Sequence, residues 1–246
     1  MSFLATVAHS LWVWGVTALL ILCWLPALAL VRLLDRDPLA LRTARVLRVL
    51  GRMIIRAQFP KLTISGMGNA RPHTTYLIVC NHQSSIDVPL ASFVPVDCKF
   101  LGKDVLFRIP VVGWMMRMSK DVPVSRADTH SAARALIHCA KLMRDGCSVL
   151  VFPEGTRSYD GNLLPFSDAP FKVAIRQGVS ILPVVLDGTG SYLPRSAFLF
   201  SERCPIHFSI LPPVSVEGCG LKGAPELAER VRNLMTEELA RIRKSD

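Results

Sequence analysis

The first 31 residues contain no Lys, Arg, Asp or Glu. A stretch so free of charge excludes an ordinary solvated N-terminus, and residues 11–31 are long enough to cross a hydrocarbon core of roughly 30 Å as one helix. The same stretch lacks the basic start that a cleavable secretory signal would want, so it reads as a retained anchor. Aromatic residues are also sparse, at 7% with three Tyr. With no RNA-binding aromatic pattern and no helix-turn-helix, the net charge of +10 does not point to nucleic acid. The seven cysteines, Cys23, Cys80, Cys98, Cys139, Cys147, Cys204 and Cys219, show no CxxC or Cys/His ligand spacing. That argues against a zinc site and for reduced thiols, several of them small core residues. No metal and no cofactor is expected. Repeats, low-complexity tracts and long linkers are missing too, which leaves a single principal folding unit.

What is present is apolar bulk with a cationic surface: 50% hydrophobic residues alongside that positive charge. The pairing suggests an anionic membrane as partner. Trp12, Trp14 and Trp24 are placed to act as interfacial anchors, and Pro26 is expected to bend or end the first helix. Positive charge begins abruptly at Arg32 and Arg36, so the positive-inside rule places the rest of the chain in the cytoplasm, on the inner face of the cytoplasmic membrane. Arg42, Arg45, Arg48, Arg52 and Arg56 follow at spacings of three or four, on one face of a helix. Such a face suits an anionic lipid surface, or it is the solvated face of an ordinary helix.

Beyond residue 64 short apolar runs alternate with helical periodicity. Strands are predicted over 76–80, 99–101, 122–124, 149–152, 181–186 and 206–211, and helices over 88–93, 111–118, 129–144, 169–177 and 226–243. The alternation predicts an α/β fold, a mixed and largely parallel sheet covered by helices, preceded by an N-terminal membrane helix or helical hairpin. The expected partition is an anchor with its Arg-rich helix over 1–58 and a catalytic domain over 59–246.

Two stretches carry chemistry. The first strand leads into Asn81, His82, Gln83, Ser84, Ser85, Ile86 and Asp87. On a continuous helix His82 and Asp87 would diverge, but Pro89 belongs in a first turn, so the helix should start near Ser85 with His82 in the turn before it. From there the imidazole can fold back onto the Asp87 carboxylate, which would fix its tautomer and leave the other ring nitrogen to accept a proton from an alcohol. Alone, such a pair is more often a structural or capping contact. The strand at 149–152 opens into Pro153, Glu154, Gly155, Thr156, Arg157 and Ser158. A strand-end turn with an Arg fork and open backbone amides suits an anion; alone, it is a Pro-Glu-Gly turn with a surface arginine.

Together, in this order and about seventy residues apart, the two stretches closely resemble the glycerolipid acyltransferase family, which includes the bacterial 1-acylglycerol-3-phosphate acyltransferases. Asn81, His82 and Asp87 match its first motif, and Phe152 to Ser158 match its FPEGTRS motif in full. Lys103 resembles the lysine after the first motif, Arg126 the arginine of the second block, and 179–186 the apolar fourth block. Ser119-Lys120-Asp121 replaces the usual Gly-x-Ile/Phe-Phe-Ile lead-in to Arg126. The resemblance implies direct transfer of a fatty acyl group from acyl-CoA or acyl carrier protein to the hydroxyl of lysophosphatidic acid or a related lysolipid. In that reading His82 is the general base and Asp87 orients it. Glu154, Gly155, Thr156 and Arg157 shape the acceptor pocket, Arg157 meets the phosphate, and Lys103 and Arg126 are secondary phosphate contacts. Asn81, Pro153 and Ser158 support the motifs. A helical pair buried in one leaflet, also known in the family, is a second reading of residues 1–56.

Two rivals remain. Ser84 and Ser85 lie near His82, as a hydrolase would need, but no Gly-x-Ser-x-Gly elbow presents either as a nucleophile. A non-catalytic binder of anionic lipid would use the anchor and the Arg face without His82 or Asp87.

Overall fold

A computed structural model describes residues 3–58, 61–125, 128–201 and 204–245. Two helices come first, α1 (Phe3–Leu34) and α2 (Leu41–Gln58). At 1.5 Å per residue the first is about 48 Å long. Pro26 lies inside it without ending it, one of the two effects expected of that proline. The two helices run antiparallel as a hairpin, tied by Trp24 Nε1 donating to the Val46 carbonyl at 3.1 Å and Gln58 Nε2 to Thr17 Oγ1 at 2.6 Å. In the connecting turn, buried Asp35 accepts from the backbone N–H and hydroxyl of Thr43.

The rest is an α/β body with strands β1 (Leu62–Ser65), β2 (Leu77–Cys80), β3 (Cys98–Lys103), β4 (Val122–Val124), β5 (Ser148–Val151), β6 (Ile181–Asp187) and β7 (Ile206–Ile210). They form one sheet in the order β1-β7-β6-β2-β5-β3-β4. Each neighbouring pair is parallel except β6–β7. The helices are α3 (Asp87–Leu90), α4 (Val112–Met118), α5 (Thr129–Arg144), α6 (Ala169–Gln177), α7 (Thr189–Tyr192) and α8 (Ala224–Ser245). The expected strands are present. Strand β1 was not anticipated, because four half-exposed residues at a sheet edge carry too little pattern, and α7, at four residues, is too short to show a helical period.

Central strands β2 and β5 are buried along their whole length, as parallel strands covered on both faces must be. Side chains alternate between two cores. Leu77, Val79, Val149 and Val151 pack with α5, α6 and α8. Ile78, Cys80, Leu150 and Leu182 pack on the opposite side, where Val13 and Ile55 of the hairpin join them. Cys80, Cys98, Cys139 and Cys147 are buried core thiols, and burial pushes Cys98 and Cys139 up to about 12.

The arginine face of α2 departs from the lipid-facing expectation. Arg48 pairs with buried Asp121 and stacks over the Phe100 ring, Arg45 pairs with Asp97, and Arg52 donates to the Ser92 carbonyl at 2.9 Å. Much of the stripe therefore docks the hairpin on the body. Periodicity can place charges on one face, but it cannot see that Asp97 and Asp121, far along the chain, will meet them. Gly51 permits the close approach, since a Cβ there would lie 2.4 Å from Ser92 Oγ. Lys99, fully buried on β3, reinforces the dock by donating to the carbonyls of Ala40 and Ser119 at 3.2 and 2.6 Å.

Candidate active site

Parallel strands deliver their C-terminal ends to one edge of the sheet, where α/β folds keep their ligand crevices. The ends of β2, β3 and β5 bring His82, Lys103 and the 152–158 turn to that edge. Where β2 gives way to the turn, Asn81 substitutes for a strand residue. Its amide donates to the Leu186 carbonyl at 2.8 Å and accepts from the Leu186 N–H at 2.7 Å, holding the turn against β6.

His82 lies in that turn, with its Nδ1 2.7 Å from Asp87 Oδ2. A carboxylate can only accept, so Nδ1 carries the proton and Nε2 presents its lone pair outward. The same Asp87 oxygen accepts the N–H groups of Gln83 and Ser84, each at 2.7 Å. Helix α3 starts at Asp87, two residues later than the sequence suggests, because Ser84 to Asp87 form a tight turn closed by Asp87 N–H on the Ser84 carbonyl. Pro89 remains within the first helical turn. Asp87 is fully buried while the His82 side chain keeps 15% of its surface exposed, so the ring alone faces outward.

The second motif grips the first. Glu154 Oε1 accepts the His82 N–H at 2.8 Å, and the Ser158 N–H donates to the His82 carbonyl at 2.8 Å. The imidazole stacks on Phe152 with ring centroids 4.3 Å apart. Glu154 spends its other oxygen on the Leu164 N–H at 3.0 Å. Burial pushes its carboxyl up to about 7, opposed by those two backbone bonds and assisted by the Asp87 charge. Both Glu154 oxygens thus serve the main chain, and any shaping of the crevice by this residue acts through His82 and Leu164. Gly155 turns the chain at φ +70°, and Pro153 accepts from the Ser167 N–H. Thr156 and Arg157 are half-buried at the rim, and Lys103 lies exposed at the end of β3. Arg126 falls outside the described residues.

Several contacts around the site carried no readable signal. Ser84, a candidate nucleophile in the hydrolase reading, instead donates its buried hydroxyl to the Leu193 carbonyl at 2.7 Å. Gln83 Nε2 donates to the carbonyls of Gly161 and Leu186 at 3.1 and 3.2 Å. From the last turn of α8, Arg243 binds both Asp187 oxygens at 3.0 and 3.1 Å and the Gly161 carbonyl at 2.9 Å. Spacing could not reveal these, because each partner is distant in sequence.

Beside the histidine turn, an apolar cavity of about 250 Å³ lies between the hairpin and the body. Its walls include Ile21, Leu47, Ile54, Val88, Val112 and Met115, with Ser85 and Ile86 of the turn at one side and Arg48 and Asp121 also in the lining.

A gripped histidine–carboxylate pair at the strand ends, next to an arginine-bearing turn and an apolar cavity, defines an enzyme class built on an α/β body. The chain belongs to the acyltransferase family, whose model matches residues 61–187. It is 37% identical over 182 residues to the chloroplastic 1-acyl-sn-glycerol-3-phosphate acyltransferase BAT2 of Brassica napus, covering 74% of this chain and 52% of that protein. It is 28% identical over 201 residues to the alpha enzyme of that name from Mus musculus, covering 79% and 70%. The chain spans about half the length, or less, of the plant relatives it matches. Among solved structures it is similar to the 1-acyl-sn-glycerophosphate (LPA) acyltransferase PlsC of Thermotoga maritima, with a TM-score of 0.82, 28% identity and 98% of each chain covered.

Proposed function

We propose that this protein transfers a fatty acyl group from acyl-CoA or acyl carrier protein to the free hydroxyl of lysophosphatidic acid, giving phosphatidic acid. The observation that carries the reading is the His82–Asp87 pair, held by the FPEGTRS turn beside an apolar cavity. His82 Nε2 takes the hydroxyl proton as the acceptor oxygen attacks the thioester carbonyl, and the resulting imidazolium is stabilised by buried Asp87. Collapse of the tetrahedral adduct breaks the C–S bond, and the imidazolium returns its proton to the departing thiolate. No acyl-enzyme is needed, which agrees with Ser84 being bonded to Leu193 rather than to His82. The cavity is suited to one acyl chain, and Arg157 at the rim to the acceptor phosphate.

In this reading residues 1–58 hold the enzyme on the membrane and residues 59–246 perform the chemistry. Contacts near both ends of α1 support the leaflet-embedded arrangement over a spanning one. Near its start, Ser10 Oγ accepts the Phe200 N–H at 2.8 Å and Trp14 Nε1 donates to the Phe198 carbonyl at 2.9 Å. Beyond its end, Lys99 holds Ala40. A helix tethered to one body near both ends does not cross a bilayer away from it. Its outer side exposes Leu4, Leu11, Leu19, Leu22, Leu30 and Leu33, an apolar face for lipid.

The test is to incubate purified protein in mixed micelles with acyl-CoA or acyl carrier protein thioester, with and without lysophosphatidic acid, following lipid product and free thiol. Phosphatidic acid and thiol in equal amounts, dependent on acceptor and lost in His82→Ala, is the expected result. Thiol release without acceptor marks a hydrolase, and absence of turnover with every donor and acceptor defeats the proposal.

A further inference from the structure

Arg195 lies beyond the family-matched residues and belongs to no motif in the sequence, yet two contacts of its own and one of Leu193 place it at the site. Ser84, in the histidine turn, ties down Leu193 two residues earlier. The Arg195 guanidinium donates through Nη1 to the Arg157 carbonyl at 3.0 Å, and its Cζ sits 4.3 Å from the centre of the Tyr159 ring. Arg195 therefore sits on the turn that carries Arg157, on a segment that Leu193 ties to the His82 turn.

A guanidinium has five N–H donors. Arg195 spends one on Arg157, and the Arg157 guanidinium makes no hydrogen bond among the described residues. No carboxylate among the described residues pairs with either arginine. The arginines that brace the fold differ: Arg45, Arg48 and Arg243 are matched to Asp97, Asp121 and Asp187. Two half-buried cations on one rim, neither paired with a carboxylate among the described residues, are arranged for an anion supplied from outside.

We infer that Arg195 is a second phosphate-binding residue, which together with Arg157 selects acceptors bearing a phosphate monoester. This rests on the acyl-transfer reading of the site. A monoester offers three terminal oxygens and close to two negative charges, enough to engage both planar forks. A phosphodiester headgroup offers two such oxygens and one charge, and gains less from the second arginine. The ring of Tyr159 and the Arg157 carbonyl hold the Arg195 fork in place before substrate arrives, reducing the ordering cost of binding.

The experiment compares wild type, Arg195→Ala and Arg195→Lys with lysophosphatidic acid and with a lysophospholipid whose phosphate is a diester. Arg195→Ala is expected to raise KM for lysophosphatidic acid by about 10- to 100-fold, the loss of a charge-assisted contact, with the donor KM unchanged. Preference for monoester over diester should shrink by a similar factor, and Arg195→Lys should restore part of it. A simple structural brace would depress kcat for both acceptors and leave headgroup preference intact; that result, or an unchanged acceptor KM, overturns the inference. Thermal stabilisation by lysophosphatidic acid provides a readout free of turnover: it should be present in wild type and weakened in Arg195→Ala. If wild type makes no phosphatidic acid, the acyl-transfer reading fails independently, and equal stabilisation of both proteins, or of neither, sinks the role of Arg195.

Discussion

Replacing Asp87 with Asn tests the proposed mechanism with little change in shape. Asp87 Oδ2 accepts from His82 Nδ1, Gln83 N–H and Ser84 N–H, all at 2.7 Å, while Oδ1 is buried without a partner. An amide with its oxygen at the Oδ2 position keeps all three hydrogen bonds, and its NH₂ group falls where no acceptor waits. The turn therefore survives at a cost of about 1–3 kcal/mol. What disappears is the negative charge facing the ring when it becomes imidazolium. Two unit charges about 4 Å apart at an effective dielectric of about 20 interact by about 4 kcal/mol, so kcat should fall by about a thousandfold. Steady-state assay of phosphatidic acid formation, with a thermal melt as control for folding, measures both numbers. A variant that melts near the wild type and retains more than a tenth of its turnover would refute the idea that Asp87 stabilises the charged ring.

Three further outcomes follow from the packing. With its carboxyl pushed up to about 7 from 4.5 by burial, Glu154 binds a proton more readily in the folded chain than in the unfolded one. Stability from this residue is therefore full below pH 4.5 and lost as pH rises through 7. Relative to Glu154→Gln, wild type should lose up to about 3 kcal/mol across that window, less for solvent screening, and a melting-temperature difference flat with pH counts against it. Asp121→Ala leaves Arg48 buried and removes the acceptor of the Phe100 N–H and Ser119 hydroxyl. A loss of about 3–5 kcal/mol is expected in chemical denaturation, whereas a loss below about 1 kcal/mol would mean that the hairpin is docked by its apolar contacts alone. Leu47→Trp places an indole in the cavity of about 250 Å³. Competition between acyl donors should then shift toward shorter chains, and an unchanged chain-length profile would remove the cavity from the donor path.

The family motif has a structural basis in the grip on His82. Glu154 and Ser158 take the peptide groups on either side of His82, one accepting its N–H and the other donating to its carbonyl. His82 is thereby held by main-chain bonds on both sides and by Phe152 across its ring face. A side chain so constrained loses little freedom when substrate binds, which is how preorganisation lowers a barrier.

Local pattern was enough to mark the central strands, α5 and α6, the apolar α1 and the two motif stretches, because runs of β-branched and apolar residues, helical spacing and proline placement act over a few residues. Even the return of His82 to Asp87 was readable, since Pro89 restricts where the helix can begin. Contacts between distant residues were not. Arg48 and Asp121 are 73 positions apart, and Arg243 and Asp187 are 56 apart. The arginine stripe of α2 looked ready for lipid until folding turned much of it onto Asp97, Asp121 and Ser92. The docking of the start of α1 on the body depends on Ser10 and Trp14 meeting residues some 184 to 190 positions later. Chain chemistry specified which segments form and which side chains can react; only packing, by bringing remote charges and hydrogen-bonding groups together, decided which of them are spent on holding the fold and which remain for a substrate.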